Sequence, residues 1–348
     1  MDPLTQGMLG AALTLAVSKR KHLRAAAVLG GLSGMAPDLD VLIRSSQDPL
    51  LFLEYHRQFT HSLLFIPFGS LLCALVFYFI FAKRCDLSFQ RTWFYCALGY
   101  GTHGMLDACT SYGTQLLWPV SDERVAINII SVIDPAFTLP LLVLVAFAFW
   151  KYSSKLALVA MGWTFVYLII GGIQKDRALA AGLELANERQ HTPVVVEVKP
   201  TLANLLVWKV VYEVNDTYFV DAVRVGADVK AYPGNSIAKL NVTTDLPWVP
   251  QDSQQMIDVE RFSRFSNGYL ALDPYNQHRI IDVRYSMVPN QINALWSIEL
   301  SPPAKPNELW SIELSPPAKP NEHVKYLVDR ESTPASREAF TRMLLGRD

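Results

Sequence analysis

Hydrophobic positions along this chain follow two different rhythms. Up to about residue 175 they form long blocks without charge, and from about residue 193 they alternate with polar and β-branched residues. Residues 62–81, SLLFIPFGSLLCALVFYFIF, carry no charge over the length a helix needs to cross the hydrocarbon core, about twenty residues. Residues 92–106, 135–150 and 156–173 form further apolar blocks. Residues 4–17 and 25–35 are too short to span upright, but their alanines and glycines suit tilted or re-entrant helices packed closely against longer ones.

The second rhythm predicts strands. Residues 194–198, 205–214 and 217–225 alternate in the β manner, and Asn215-Asp216 supplies a turn between the last two. Residues 177–190, with Ala, Leu and Glu at helical spacing, read as a connecting helix. The expected architecture is a polytopic α-helical membrane domain of about four to six helices over residues 1–175. A connector follows over 176–192, then a small soluble, mostly β (α+β) domain over 193–348. LWSIELSPPAKPNE occupies residues 295–308 and repeats unchanged at 309–322. Two short copies do not make a solenoid. The second reads as an accommodated loop, with a proline-rich ligand as the other possibility.

Charge adds orientation and little else. The formal net charge of −1 gives no nucleic-acid signal, and the mean hydropathy of +0.18 hides the contrast between the halves. Short basic loops at residues 18–24, 83–91 and 151–155 belong on the cytoplasmic side by the positive-inside rule. Residues 36–62, 107–134 and everything after 174 then lie on the opposite face, although Lys175 and Arg177 argue against this placement. Cys73, Cys85, Cys96 and Cys109 show no CxxC pair and read as packed bystanders, with Cys109 nearest the chemistry. MDPLTQGMLG has no basic stretch ahead of its apolar run and does not read as a cleaved signal peptide.

The chemistry gathers where apolar blocks end. PDLD places Asp38 and Asp40 on one side of an extended chain, either as oxygen donors to a metal or as turn caps. In HRQFTHS, His56 and His61 need a loop to converge, Arg57 suits an anionic oxygen or a lipid headgroup, and Thr60 and Ser62 suit helix capping. His103 and Asp107 share a helix face, as metal ligands or as a hydrogen-bonded strut. Asp134 opens the next block. Ionisable residues near membrane depth are costly and tend to be functional, so the cluster reads as a joint metal or proton site.

MDPLTQ, APDLDVL, YHRQFTHSLLF, HGMLDACTSYGTQLLWP and IDPAFTLPLL, in this order, resemble the YdjM-type family of bacterial inner-membrane proteins, predicted metal-dependent hydrolases. The likeness covers about residues 1–175, and PTLANLLVWKVV resembles part of an extra domain in one branch of that family. The resemblance implies a helical, membrane-embedded site distantly similar to zinc-dependent phospholipase C and P1-type nuclease folds. It implies His61, His103, Asp107 and Asp38 or Asp40 as ligands to a divalent metal, most readily zinc. Many family members have histidine where this chain has Gln6, which leaves a weaker donor or one metal fewer here. The expected activity is hydrolysis of an ester or phosphodiester in a phospholipid-like substrate. Asp38, His61, His103 and Asp107 would bind the metal; Asp40, His56, Arg57 and Asp134 would serve catalysis, with Arg124 a further phosphate contact. The alternatives are an ion- or proton-coupled transporter and a structural or sensory protein. The partner of the β domain is not legible.

Overall fold

The computed structural model describes residues 1–301, 321–330 and 332–347. Its helices follow in order as α1 (Pro3–Val17), α2 (Leu23–Met35), α3 (Leu51–Tyr55), α4 (Ile66–Ile80), α5 (Phe89–Cys109), α6 (Pro135–Lys151) and α7 (Ser154–Glu188). The chain divides into a helical unit, Met1–Ile43 with Tyr55–Arg177 and Lys199–Leu206, and a β-rich unit, Arg44–Glu54 with Ala178–Val198 and Val207–Asp348. Each unit thus contains a segment from the other's stretch of sequence.

Among the described residues, three helical runs are long and apolar enough to cross a membrane: Arg20–Leu42, Leu63–Ile80 and Ser154–Glu188. The first is longer than its apolar pattern suggested, because 3-10 turns extend α2 at both ends to 23 residues. The third continues through residues 176–188, so most of the expected connector is the end of α7 itself. α1 and α6 are shorter apolar helices. Asp2, Ser88 and Asp134 cap α1, α5 and α6 by accepting a first-turn backbone N–H, and Pro3 and Pro135 fit the first helical position.

Glycine decides how closely α2 and α5 approach. A Cβ on Gly99 would stand 2.1 Å from the carbonyl oxygen of Gly30, so the two backbones touch there. This fixes α5 beside the end of α2.

In the β-rich unit, β1 (Val195–Pro200), β2 (Val207–Val214), β3 (Thr217–Val225) and β4 (Val229–Ala238) form one four-stranded sheet in that order. A second contains β5 (Leu270–Asp273), β6 (Asn276–Asp282), β7 (Trp296–Glu299) and β8 (Lys325–Val328). The predicted turn is present: Val214 pairs with Thr217, and Asn215 and Asp216 take φ of 48° and 53°, as the tight hairpin requires. Val211, Tyr218 and Val220 of the first sheet pack with Ala271 and Ile281 of the second in one buried cluster. α8 (Val242–Asp245), α9 (Gln254–Phe265) and α10 (Pro334–Leu345) complete the α+β unit. The first repeat copy supplies β7, so its WSIE stretch is a strand. Most of the second copy lies outside the described residues.

Candidate metal centre

His103 and Asp107 leave one face of α5 and are fully buried. Asp38 and Asp40 lie on the 3-10 helix Ala36–Leu42 that continues α2. This corrects the extended reading of Asp-Leu-Asp: at three residues per turn, positions i and i+2 diverge by about 240°. The two carboxylates reach opposite ring nitrogens of His61 and otherwise take different partners. Asp38 Oδ1 lies 3.5 Å from His61 Nε2 and 3.3 Å from His103 Nε2. Asp40 Oδ1 meets His56 Nδ1 at 2.8 Å, while its Oδ2 accepts from the Arg57 backbone N–H at 3.1 Å and the Thr60 hydroxyl at 2.7 Å.

His61 closes the turn Phe59–His61, which the Tyr100 hydroxyl steadies by donating to the Thr60 carbonyl at 2.8 Å. Gly104 lets this turn reach α5, since a Cβ there would sit 2.2 Å from the His61 carbonyl oxygen. His61 Nε2 stands 2.9 Å from His103 Nε2 and 3.4 Å from Asp107 Oδ2, and His103 Nε2 lies 3.8 Å from that oxygen.

Two imidazole nitrogens facing each other require an explanation. His103 Nδ1 is 2.6 Å from the Gly34 carbonyl oxygen, which can only accept, so Nδ1 carries the hydrogen and Nε2 presents a lone pair. His61 Nδ1 faces Asp40 Oδ2 at 3.2 Å, which favours the same tautomer. With both rings neutral, two lone pairs and two carboxylates converge, and that arrangement calls for a cation. A proton on His61 is one solution: burial by itself would lower its pKa, but Asp107, Asp38 and Asp40 outweigh burial and push it up to about 10.

A divalent metal is the other. Tetrahedral zinc with bonds of 2.0–2.1 Å has ligand-to-ligand edges of about 3.3–3.4 Å. The five edges measured among these donors run from 2.9 to 3.8 Å. Imidazole and carboxylate donors also suit that metal. Gln6 Oε1 is buried without a hydrogen-bond partner, whereas Asp107 Oδ2 is buried with ion-pair contacts to Arg57 and His61. The residues present therefore fit a metal ion. A second donor group, Asp38, Asp40 and His56, shares Asp38 with the first.

The sequence pattern of the YdjM inner membrane protein family matches residues 1–178, just over half of the 348. This chain belongs to that family. The uncharacterized protein YfhP of Bacillus subtilis (strain 168) is 25% identical over 273 residues, covering 75% of this chain and 77% of YfhP. That share exceeds the 178 residues of the family match, so the likeness extends into the β-rich sequence. The inner membrane protein YbcI of Escherichia coli (strain K12) is 35% identical over 97 residues, covering 27% of this chain and 54% of YbcI. No solved structure matches.

In this YdjM family member, Asp38, Asp40, His56, Arg57, His61, His103 and Asp107 come together as the sequence suggested. Arg57 faces inward. Its Nε lies 2.9 Å from Asp107 Oδ2, Nη1 donates to the Thr110 hydroxyl at 3.0 Å, and the guanidinium lies 4.7 Å from the Tyr112 ring centre. Its φ of 64° is strained for a bulky residue. Burial keeps the His56 pKa below its ordinary value, with Asp40 partly opposing. Arg124 Nη1 donates to the His56 carbonyl at 3.3 Å.

Asp134 belongs to neither donor group. It caps α6 and accepts the Tyr167 hydroxyl at 2.8 and 2.9 Å on its two oxygens. Ser62 caps the 3-10 turn ahead of α4 as expected, whereas Thr60 binds Asp40 instead of a helix end. Gln6 donates through Nε2 to Asp107 Oδ1 at 2.8 Å, and the Met1 amino group contacts the same oxygen. Sequence reading missed the Gly34 carbonyl, Thr60 and Thr110 as supports. Only Thr60, lying between Phe59 and His61, carried any signal.

Proposed function

We propose that the helical unit is a membrane-embedded, metal-dependent hydrolase acting on an ester or phosphodiester bond of a phospholipid-like substrate at the membrane interface. The convergence of Asp38, His61, His103 and Asp107, with donor atoms all within 4.8 Å of one another, carries this reading. Zinc is the favoured ion, because two imidazoles and two carboxylates at near-tetrahedral spacing match its preferences. A bound ion would have to exchange one of these four donors for water, since a catalytic site keeps an open position; it would then polarise the scissile ester and supply a nucleophile near neutral pH.

The chain's own groups do the rest. Gly34 and Asp40 orient His103 and His61 so that both Nε2 atoms face inward. Asp40 holds Nδ1 of His56 and so orients this ring at the edge of the donor cluster, where it is the proposed general base. The His56 side chain is 12% exposed and that of His61 0%, so His56 suits proton exchange with water and His61 suits ligation. Arg57 offsets the charge of Asp107, and Arg124, which donates to the His56 carbonyl beside the cluster, is the proposed phosphate contact. The basic loops are cytoplasmic in this proposal, and the site opens on the opposite side.

One observation favours a second reading. Arg57 already compensates Asp107, and a protonated His61 would complete a metal-free ionic strut in a transporter or a structural or sensory protein. Metal analysis of detergent-purified protein beside His103→Ala plus Asp107→Ala separates the two. Near-stoichiometric zinc lost in the double variant, together with phosphodiester or phospholipid hydrolysis, supports the hydrolase. A folded wild type that holds no metal without chelator treatment overturns it.

A further inference from the structure

Residues 44–54 leave the helical unit after Ile43, belong to the β-rich unit, and return at Tyr55. Within that unit they are fastened at Asp48 and Glu54 by one side chain. Arg261 of α9 donates from Nη1 and Nη2 to Asp48 at 3.0 and 2.8 Å, and from Nε and Nη2 to Glu54 at 2.7 and 3.0 Å. Its Nη1 also reaches Asp258 at 2.9 Å. The guanidinium is 8% exposed and Asp258 is fully buried; the planar fork is thus largely spent on Asp48 and Glu54, six residues apart along the chain. Asp258 in turn accepts from the Val324 backbone N–H at 3.0 Å and faces His323 Nδ1 at 2.9 Å. Leu50 and Leu53, between the two clamped carboxylates, are buried at 1% and 2% exposure.

The two ends of this strap are chain neighbours of the donors. Asp38 and Asp40 precede it on the 3-10 helix Ala36–Leu42, and His56 and Arg57 follow it directly. The Asp40–His56 contact at 2.8 Å ties its base. We propose that Arg261 is a positioning residue for the metal centre, acting through residues 44–54, which it clamps at Asp48 and Glu54. The idea rests on the metal-site reading above. The coupling is carried by chain continuity: a strap of fixed length holds Asp38 and His56 in register, and a slack one lets both wander by more than the roughly 0.5 Å a metal site tolerates.

The test uses full-length protein in detergent, titrated with zinc against a chromophoric chelator. Arg261→Gln is expected to bind zinc about tenfold more weakly, and Arg261→Lys, which keeps the charge without the fork, to fall between. A second variant inserts Gly-Ser-Gly-Ser after Ser46, an exposed position, which slackens the strap and keeps the clamp. It should show the same loss, and it decides the matter if Arg261→Gln does not fold. Wild-type affinity in the insertion variant overturns the proposal, whether or not Arg261→Gln is impaired. A wild type that binds no zinc overturns the metal centre itself and this inference with it.

Discussion

Replacing Gly99 with alanine should open the metal centre through helix packing alone. The new Cβ would lie 2.1 Å from the Gly30 carbonyl oxygen and 2.7 Å from the Gly30 carbonyl carbon and Cα. All three are backbone atoms, so no side chain can swing aside. Contacts under 3.0 Å are essentially unknown for a Cβ, and α2 and α5 must therefore part by at least 0.9 Å at this point. Asp38 continues from α2, and His103 follows Gly99 by one helical turn. A similar shift would carry the 3.3 Å separation of Asp38 Oδ1 and His103 Nε2 past about 4 Å, beyond the roughly 0.5 Å tolerance of a preorganised site. The expected result is zinc binding weaker by about 10–100-fold, with a stability loss of about 1–3 kcal/mol from overpacking. Chelator competition reads the first and thermal unfolding without metal the second. Gly162→Ala is the control, because nothing lies within 4 Å of its Cβ. It should bind zinc normally and gain about 0.5–1 kcal/mol. Wild-type zinc affinity in Gly99→Ala would refute the claim that the α2–α5 approach sets the position of Asp38.

Other outcomes follow from single contacts. Arg57→Met removes the partner of a buried carboxylate and should destabilise the metal-free protein by about 3–5 kcal/mol; zinc should then raise its melting temperature more than it raises that of wild type, and an equal shift would argue against metal at Asp107. Asp134→Asn should lower the melting temperature through the α6 cap and Tyr167 while leaving zinc content unchanged, and loss of hydrolysis at full zinc content would return Asp134 to the catalytic set. Burial alone would raise the Asp48 pKa, but the Arg261 guanidinium outweighs it and holds the carboxyl below the usual range. A depressed folded pKa stabilises above the unfolded value and is lost as pH falls through the folded one. The strap should therefore stay protected from proteolysis at neutral pH and become susceptible only below about pH 4, and an Arg261→Gln protein cut equally slowly at neutral pH would contradict the clamp.

The sequence by itself determined the two solvents of this chain. Uncharged blocks near bilayer length and β-branched alternation are local patterns, and local patterns name helices and strands without knowledge of their neighbours. It also singled out the His and Asp residues that converge in the cluster, because such residues are costly beside apolar blocks and stand out against them. The i, i+4 spacing of His103 and Asp107 needed nothing beyond the helix itself.

Tertiary structure decided how those residues are used. Asp38 and Asp40 differ in their partners, His103 for the first and His56 for the second, because the chain after α2 winds into a 3-10 helix, a choice that PDLD does not announce. Arg57 pairs with Asp107 because the two meet across 50 residues of sequence, a distance no window of local pattern spans. Asp134 looked like a member of the cluster and is instead engaged by Tyr167. The strap at 44–54 was invisible for the same reason: its partner, Arg261, lies more than 200 residues away. Side-chain pairing over such separations depends on how packed helices and sheets bring backbones together, and here glycine contacts such as Gly30 with Gly99 set that approach.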